Sequence, residues 1–295
     1  NRMIQTLISV LESTARVSTP LVFAALGGFF SERSGVINIA LEGKMLVGAF
    51  AAAVVALELH SPWMGALAGA SAGILLAAVY AFAVIEFRAD QIVAGTAINL
   101  LALGIPPFIA KILYGVTGST PGIPLADRFQ FGMELGALFA VIATAFWLHR
   151  TPQGLWLQFA GEHPVALQTA GRSVRRVRWF AVLMAGALAG LGGAALSIYL
   201  SSAYSRNMTA GRGFMALAAL IFGKWRPIPT AIACVFFGLT EASQIRLQGV
   251  VLWGSEPVPV QFIQILPYVV TVLVLSGFVG RSRPPSALGS PLDVH

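Results

Sequence analysis

The sequence predicts an all-α polytopic membrane protein. Of its 295 residues, 57% are hydrophobic and only 11% are charged, and the mean hydropathy is +0.79. A soluble domain carries about 25% charged residues, so this composition is typical of a helical membrane protein. Backbone polar groups inside a bilayer must be satisfied within the chain, which excludes open sheets and favours helices.

About eight transmembrane helices are predicted from the apolar runs. The core of a bilayer is about 30 Å thick and requires about 20 apolar residues in a helix. Four runs of 20 to 23 residues carry no charge, and the other candidates are shorter or carry charges, such as Glu12 and Arg16 in the first. The predicted spans are 3–30, 36–58, 63–85, 91–110, 135–148, 179–200, 227–247 and 259–280.

One further apolar run, 213–223, is too short to cross a bilayer alone. Broken or irregular segments at membrane depth occur where surrounding protein shelters them. We therefore predict a short re-entrant helix at this position. Together with the spans it forms one transmembrane domain over 1–280.

Loop 150–178 determines the predicted orientation. It is the longest polar interruption between spans and contains five arginines, namely Arg150, Arg172, Arg175, Arg176 and Arg178. Cytoplasmic loops carry an excess of Lys and Arg, so this loop is predicted to be cytoplasmic. Loops 115–132 and 248–258 then lie outside. Residues 281–295, rich in Pro, Ser and Gly, are predicted to form a flexible cytoplasmic tail.

Several kinds of chemistry are not expected of this chain. Its net charge is +7, but the basic residues cluster between apolar runs, which indicates a membrane surface rather than nucleic acid. One cysteine, Cys234, and four scattered histidines supply neither a disulfide nor a set of metal ligands. The sequence has no P-loop and no His-Glu-x-x-His, and no histidine lies inside a predicted span. We expect no catalytic residue, no metal, no cofactor and no ATP hydrolysis in this chain.

A short helix is predicted within loop 150–178, over "GEHPVALQTAG" at 161–171. Pro164 suits the first turn, where its missing N–H costs nothing, and Gly171 supplies a C-terminal stop. Two interpretations stay open: an ordinary amphipathic loop helix, or a helix that inserts into a cytoplasmic partner. For the second, small residues would permit close contact and Glu162 would orient the helix. The residues concerned are Gly161, Glu162, Pro164, Ala166, Ala170 and Gly171.

Polar residues also interrupt the apolar run "SERSGVINIALEGKMLVGAF" at 31–50. A charge at the bilayer centre costs about 2.5 to 3.5 kcal/mol, so such groups face protein or water. Asn38 and Glu42 are spaced i, i+4 and are predicted to share a helix face. Structurally, Glu42 would accept bonds from backbone N–H groups at a broken helix, or pair with Lys44 or Arg33. Functionally, Asn38 or Glu42 would line a solute path.

Asn99, in "GTAINLLALG", has the same two interpretations, and an amide that joins helices is favoured. A rival class of protein is an ion-coupled carrier, which needs a buried carboxylate that titrates or a sodium site at a broken helix. Glu42 is the one central carboxylate suited to that role. The candidates for a solute path or its wall are therefore Asn38, Glu42 and Asn99.

Four segments carry a resemblance to a known family. "FSERSGVINIALEGKMLVGAF" at 30–50 resembles the segment typical of nucleoside and simple-sugar permeases of ABC importers. The matching residues are Gly35, Asn38, Ile39, Glu42, Gly43, Met45, Gly48 and Phe50. "GRGFMALAALIFGKWRP" at 211–227 is similar to the second signature of that family, and "ILPYVVTVLVL" at 265–275 also fits. "GEHPVALQTAG" resembles the coupling helix, although His163, Val165 and Arg172 depart from the usual pattern.

The resemblance implies a type II ABC-importer-like permease subunit in a bacterial plasma (inner) membrane. It implies a path for nucleosides, with simple sugars as the alternative, and adds Phe214 to Asn38, Glu42 and Asn99 as path or wall residues. The implied partners are a second permease, a cytoplasmic ATPase that carries ATP and Mg, and an extracytoplasmic substrate-binding protein. A heterodimer of permeases is favoured and a homodimer is possible. The coupling residues would be those of the helix at 161–171.

Overall fold

The computed structural model describes residues 2–247, 265, 269 and 283–290. In this part of the chain the regular elements are helices, and the β contact there is an isolated bridge between Ser119 and Ser205. The α-helices are α1 (Arg2–Arg33), α2 (Leu41–Leu59), α3 (Pro62–Ala81), α4 (Gln91–Tyr114), α5 (Met133–Arg150), α6 (Pro152–Glu162), α7 (Pro164–Thr169), α8 (Val174–Ala195), α9 (Arg212–Phe222) and α10 (Pro227–Leu247). Single π-helical segments extend α3 over Phe82–Glu86 and α8 over Leu196–Leu200.

Four of the predicted spans correspond to helices that are long and apolar enough to cross a membrane. Among the described residues these are Pro62–Glu86, Gln91–Tyr114, Met133–Arg150 and Val174–Leu200. Helices α1, α2 and α10 cover most of three further predicted ranges. The remaining range, 259–280, lies outside the described residues apart from positions 265 and 269. The all-helical class is confirmed, and the count of eight spans stays a prediction.

Helix α8 lies at the centre of the bundle and packs against α1, α2 and α3. Of its most apolar window 78% is buried, against 22% for α4, which is peripheral. Glycines allow the close contacts: a Cβ added to Gly48 would lie 2.6 Å from Cα of Gly190, and one added to Gly73 would overlap the carbonyl oxygen of Gly186. Small residues let helix backbones come into contact. This close packing holds the helices together, because in lipid no hydrophobic driving force does so.

The helical structure is interrupted between α1 and α2 at residues 34–40, here called the break, and this corrects one prediction. Helix α2 begins at Leu41, whereas a helix was expected from residue 36. Backbone bonds from Ser34 and Gly35 to the last turn of α1 close a tight turn, in which Gly35 has φ +94°. That φ lies in the left-handed region that glycine tolerates. Asn38 therefore precedes α2, and the predicted helix face shared by Asn38 and Glu42 is wrong.

The short run expected at 213–223 forms α9, a helix of 11 residues packed against α1, α2 and α10. At 1.5 Å per residue it is about 16 Å long, roughly half of a bilayer core. The preceding segment bonds to the loop before α5 through Tyr204 and Ser202, whose carbonyls accept from Thr120 and Ile123. Because α5 separates that loop from loop 150–178, the chain enters α9 from the end of the bundle opposite to loop 150–178.

The end of the chain was expected to be a flexible tail over 281–295. Residues 283–290 instead have defined partners, with Ala287 buried and its backbone N–H bonded to the carbonyl oxygen of Gly161 at 2.8 Å. Composition indicates flexibility because Pro, Ser and Gly supply few apolar side chains. Here backbone groups make the bonds, and side-chain composition does not reveal them.

Candidate functional site

Glu42 lies in the first turn of α2 and caps the N-terminus of α9. Its two carboxylate oxygens accept backbone N–H bonds from Gly211 at 2.8 Å and from Gly213 at 2.7 Å. The first N–H groups of a helix have no intrahelical partner, and the helix dipole favours a negative charge beside them. Gly213 has no side chain because a Cβ there would lie 2.5 Å from the backbone of Glu42. Of the roles predicted for Glu42, this is the one in which it accepts bonds from backbone N–H groups at a broken helix.

Lys44 and Asn38 form a separate buried contact inside the break. Both residues are fully buried, and the Lys44 Nζ donates to Oδ1 of Asn38 at 2.6 Å. The ammonium also lies 4.6 Å from the centroid of the Tyr80 ring, in cation–π geometry. The Tyr80 hydroxyl donates to the carbonyl oxygen of Ile37 at 2.5 Å. The predicted pairing of Glu42 with Lys44 therefore does not form, and Lys44 instead holds the irregular backbone before α2.

Asn99 joins α4 to the same break. Its Oδ1 accepts the backbone N–H of Gly43 at 2.8 Å, and its Nδ2 donates to the carbonyl oxygen of Ile39 at 3.0 Å. Gln91, the first residue of α4, accepts the backbone N–H of Ile37 at 2.8 Å. The side-chain amide of Asn99 thus satisfies backbone groups that the break leaves without helical partners. This is the structural interpretation that the sequence favoured for Asn99.

Glu32 is a member of this site that the sequence interpretation missed. It is buried in the last turn of α1, and its Oε2 accepts the indole N–H of Trp225 at 2.7 Å. Trp225 follows α9, so this bond ties the exit of α9 to α1, as Glu42 ties the entry of α9 to α2. An available signal was a glutamate at the end of a long apolar run, inside the segment 30–50 that carries the family resemblance.

The four predicted path residues lie near the break and the start of α9. Asn38, Glu42 and Asn99 bond to protein atoms around residues 37–43 and the N-terminus of α9. Phe214 lies in the first turn of α9 and leaves 48% of its side chain exposed. The three polar side chains are bonded to protein atoms, and the role of all four residues in a solute path or its wall stays a prediction.

Loop 150–178 has an inner part that is bonded to the bundle. Glu162 forms an ion pair with Arg33 at the end of α1, with Oε1 to NH1 at 2.9 Å. Gly161 is buried, and a Cβ there would overlap the carbonyl oxygen of Arg33. At the far end of the loop, Arg175 pairs with Glu86 at 2.5 Å, and Glu86 also accepts the indole N–H of Trp179. The loop is attached to the body at both ends.

The outer part of the same loop is exposed. Ala166 and Ala170 are exposed on and beside α7, Val165 is 70% exposed, and the side chain of Leu167 is buried beneath them. Gly171 has φ +74°, with open space where a Cβ would stand. The predicted coupling residues thus divide into two groups. Gly161 and Glu162 attach the loop, and the residues from 165 to 171 present a surface of mostly small side chains.

The described residues form a helical bundle with a break between its first two helices, a half-length helix capped inside the bundle and a helical loop exposed at one end. The class of protein itself comes from the sequence comparisons. Residues 10–275 match the family model described as the permease component of the branched-chain amino acid transport system, and the chain belongs to this family.

Named relatives are similar over nearly the whole chain. The guanosine ABC transporter permease protein NupQ of Bacillus subtilis is 39% identical over 313 residues, which cover 98% of each chain. The nucleoside ABC transporter permease protein NupC of Lactococcus lactis is 36% identical over 310 residues and 97% of each chain. A more distant relative, the guanosine ABC transporter permease protein NupP of Bacillus subtilis, is 24% identical over 91% of this chain and 81% of its own.

Proposed function

We propose that this chain is the permease subunit of an ATP-driven importer of nucleosides in a bacterial plasma membrane. The observation that carries the proposal is the full-length similarity to permeases named for guanosine and for nucleosides. Simple sugars are the alternative solute. The chain does no covalent chemistry in this account and forms one side of the solute path.

The partners follow from the same relatives. NupQ and NupP are two different permeases named for one solute in one organism, which favours a heterodimer of permeases over a homodimer. A cytoplasmic ATPase would bind ATP and Mg, and an extracytoplasmic binding protein would deliver the solute. Loop 150–178 and the C-terminus would then lie on the cytoplasmic side, as the excess of arginines in the loop predicts.

The contacts support a route from the ATPase to the path. Closure of the ATPases would push the exposed surface around α7, and the Glu162–Arg33 ion pair would carry this movement to the end of α1. The adjoining break would pass it to α2, whose Glu42 holds the N-terminus of α9. Alternating access requires contacts that differ between the two states, and these bonds are the ones expected to change.

The solute class is tested by competition. The chain is reconstituted in liposomes with a second permease, the ATPase and the binding protein, and the initial rate of labelled guanosine uptake is measured. Excess unlabelled nucleosides are expected to suppress uptake, whereas excess glucose or ribose leaves it unchanged. No uptake of labelled guanosine, together with uptake of labelled glucose or ribose, would replace the proposed solute with the alternative one.

Two substitutions test the exposed surface of loop 150–178. Ala166→Trp adds bulk to an exposed position, and Gly171→Pro is incompatible with φ +74° and removes the N–H that donates to Gln168. Each is expected to lower uptake at least about tenfold, equivalent to about 1.4 kcal/mol of lost docking, with normal amounts of protein in the membrane. Ala166→Ser, which stays small, is the control and is expected to transport normally. Normal uptake by Ala166→Trp would contradict a docking role for α7.

A further inference from the structure

Residues 283–290, here called the strap, lie across loop 150–178. Ala287 N–H donates to the carbonyl oxygen of Gly161 at 2.8 Å. The backbone N–H of Ser286 donates to Oε2 of Glu162 at 3.3 Å, and the Ser286 hydroxyl bonds to the carbonyl oxygen of the same glutamate. The strap therefore bonds to the two residues that attach the loop to α1.

The strap also bonds to the break between α1 and α2. Gly289 N–H donates to the carbonyl oxygen of Gly35 at 3.0 Å. Gly289 has φ +78°, and a Cβ there would lie 2.9 Å from Cδ1 of Ile37. Only a glycine combines this backbone conformation with so close an approach. One short segment thus contacts both the loop and the break, which are adjacent in space and far apart in sequence.

Arg178 makes the strap part of a buried polar contact. Its side chain is almost fully buried in the first turns of α8, and none of the ion pairs formed by the described residues involves it. Its Nε donates to the carbonyl oxygen of Ser34 at 3.1 Å, and its Nη1 donates to the carbonyl oxygen of Ser290 at 3.0 Å. A buried cation is costly unless it is hydrogen-bonded, so Arg178 requires both the break and the strap.

We propose that the strap is a positioning element that makes the inner part of the loop at Gly161 and Glu162, the break and the start of α8 move as one body. The inference rests on the proposed function and deepens it, because the joined elements are those through which the ATPase would act on the path. Without the strap, Gly161 and Glu162 keep the Glu162–Arg33 pair but lose the bonded connection that runs through the strap to Gly35 and to Nη1 of Arg178. Among the described residues, Arg178 keeps only its bond to Ser34. Movement of the loop is then expected to be transmitted poorly, so ATP hydrolysis continues while uptake falls.

Two truncations of the full transporter test the strap. One ends the chain after residue 282 and removes the strap, and the control ends it after residue 290 and retains it. The quantity measured is guanosine taken up per ATP hydrolysed in proteoliposomes. The strap deletion is expected to lower this ratio at least about fivefold, the lower end of ordinary coupling between sites, and the control is expected to leave it unchanged. An unchanged ratio after strap deletion, or an equal fall in both truncations, would overturn the proposal.

If the transporter with the strap deletion does not assemble, point substitutions at Ser286 test the same proposal. Ser286→Ala removes the hydroxyl that bonds to Glu162, and Ser286→Thr retains a hydroxyl. The amount of guanosine taken up per ATP hydrolysed is therefore expected to fall in Ser286→Ala and to stay normal in Ser286→Thr. Equal ratios in both variants would contradict the strap. If the unaltered transporter takes up no guanosine with ATP, the proposed function fails, and that result is independent of the comparison between variants.

Discussion

Replacing Gly186 by leucine is expected to separate α3 from α8 and to remove most of the folded protein. A Cβ at position 186 would overlap the carbonyl oxygen of Gly73 and the Cβ of Ala77, so backbone atoms have to move apart. Overpacking a well-packed interior costs about 1 to 3 kcal/mol where side chains adjust, and more where backbones must separate. Since α8 is the most buried of the four candidate spans, the expected loss exceeds about 3 kcal/mol. Detergent-solubilised protein would lose its monodisperse elution and unfold at a lower temperature.

Gly104→Leu is the matched control for this substitution. Gly104 lies in peripheral α4, and nothing stands within 4 Å of the position its Cβ would take. Leucine is apolar and a better helix former than glycine, so elution and thermal stability are expected to stay the same or improve slightly. Wild-type stability of Gly186→Leu would show that α3 and α8 do not meet through their glycines.

Replacing Glu42 by leucine is expected to abolish uptake while the rest of the bundle still folds. Leucine leaves the N–H groups of Gly211 and Gly213 without their acceptors. An unpaired buried donor costs about 1 to 3 kcal/mol, which applies to Gly213, while the partly buried Gly211 loses less. The start of α9 would then shift, together with Phe214 in its first turn. Glu42→Gln keeps one acceptor oxygen and is expected to transport at an intermediate rate. For leucine we expect a fall in initial uptake rate of at least about tenfold, corresponding to about 1.4 kcal/mol.

The control lies on the same helix. Glu58 is exposed near the end of α2, and its carboxylate accepts one long bond from the Tyr114 hydroxyl at 3.4 Å. Glu58→Leu makes the same chemical change without freeing a buried donor, and uptake is expected to remain normal. Uptake by Glu42→Leu at the wild-type rate would exclude the cap of α9 from the transport cycle.

Much of the helical architecture was predictable from the sequence, because each uncharged run of about 20 residues has few alternatives in a bilayer. The start of α2 was not predictable in the same way. The i, i+4 spacing of Asn38 and Glu42 suggested one helix face, and the turn at Gly35 overrode that pattern through bonds to the last turn of α1. Local turn bonds of this kind depend on the backbone path, which hydrophobic periodicity does not describe.

The candidate site was predictable in its members and less so in its contacts. Asn38, Glu42 and Asn99 stood out as polar groups in apolar runs, and all three bond near the break. The identity of their partners was not foreseeable: Glu42 bonds to residues 169 and 171 positions away, and the donors are backbone N–H groups that leave no mark in the sequence. The strap was missed for the same reason, since its bonds to Gly161 and Gly35 are made by backbone atoms.

The energy source of uptake tests the account most directly. Proteoliposomes that contain the complete transporter enclose ATP, and labelled guanosine with the binding protein is supplied outside. Uptake is expected to require hydrolysable ATP and to continue when ionophores dissipate the proton and sodium gradients. Uptake that proceeds without ATP, or that collapses with ionophores while the ATP concentration stays constant, would identify an ion-coupled carrier and contradict the account.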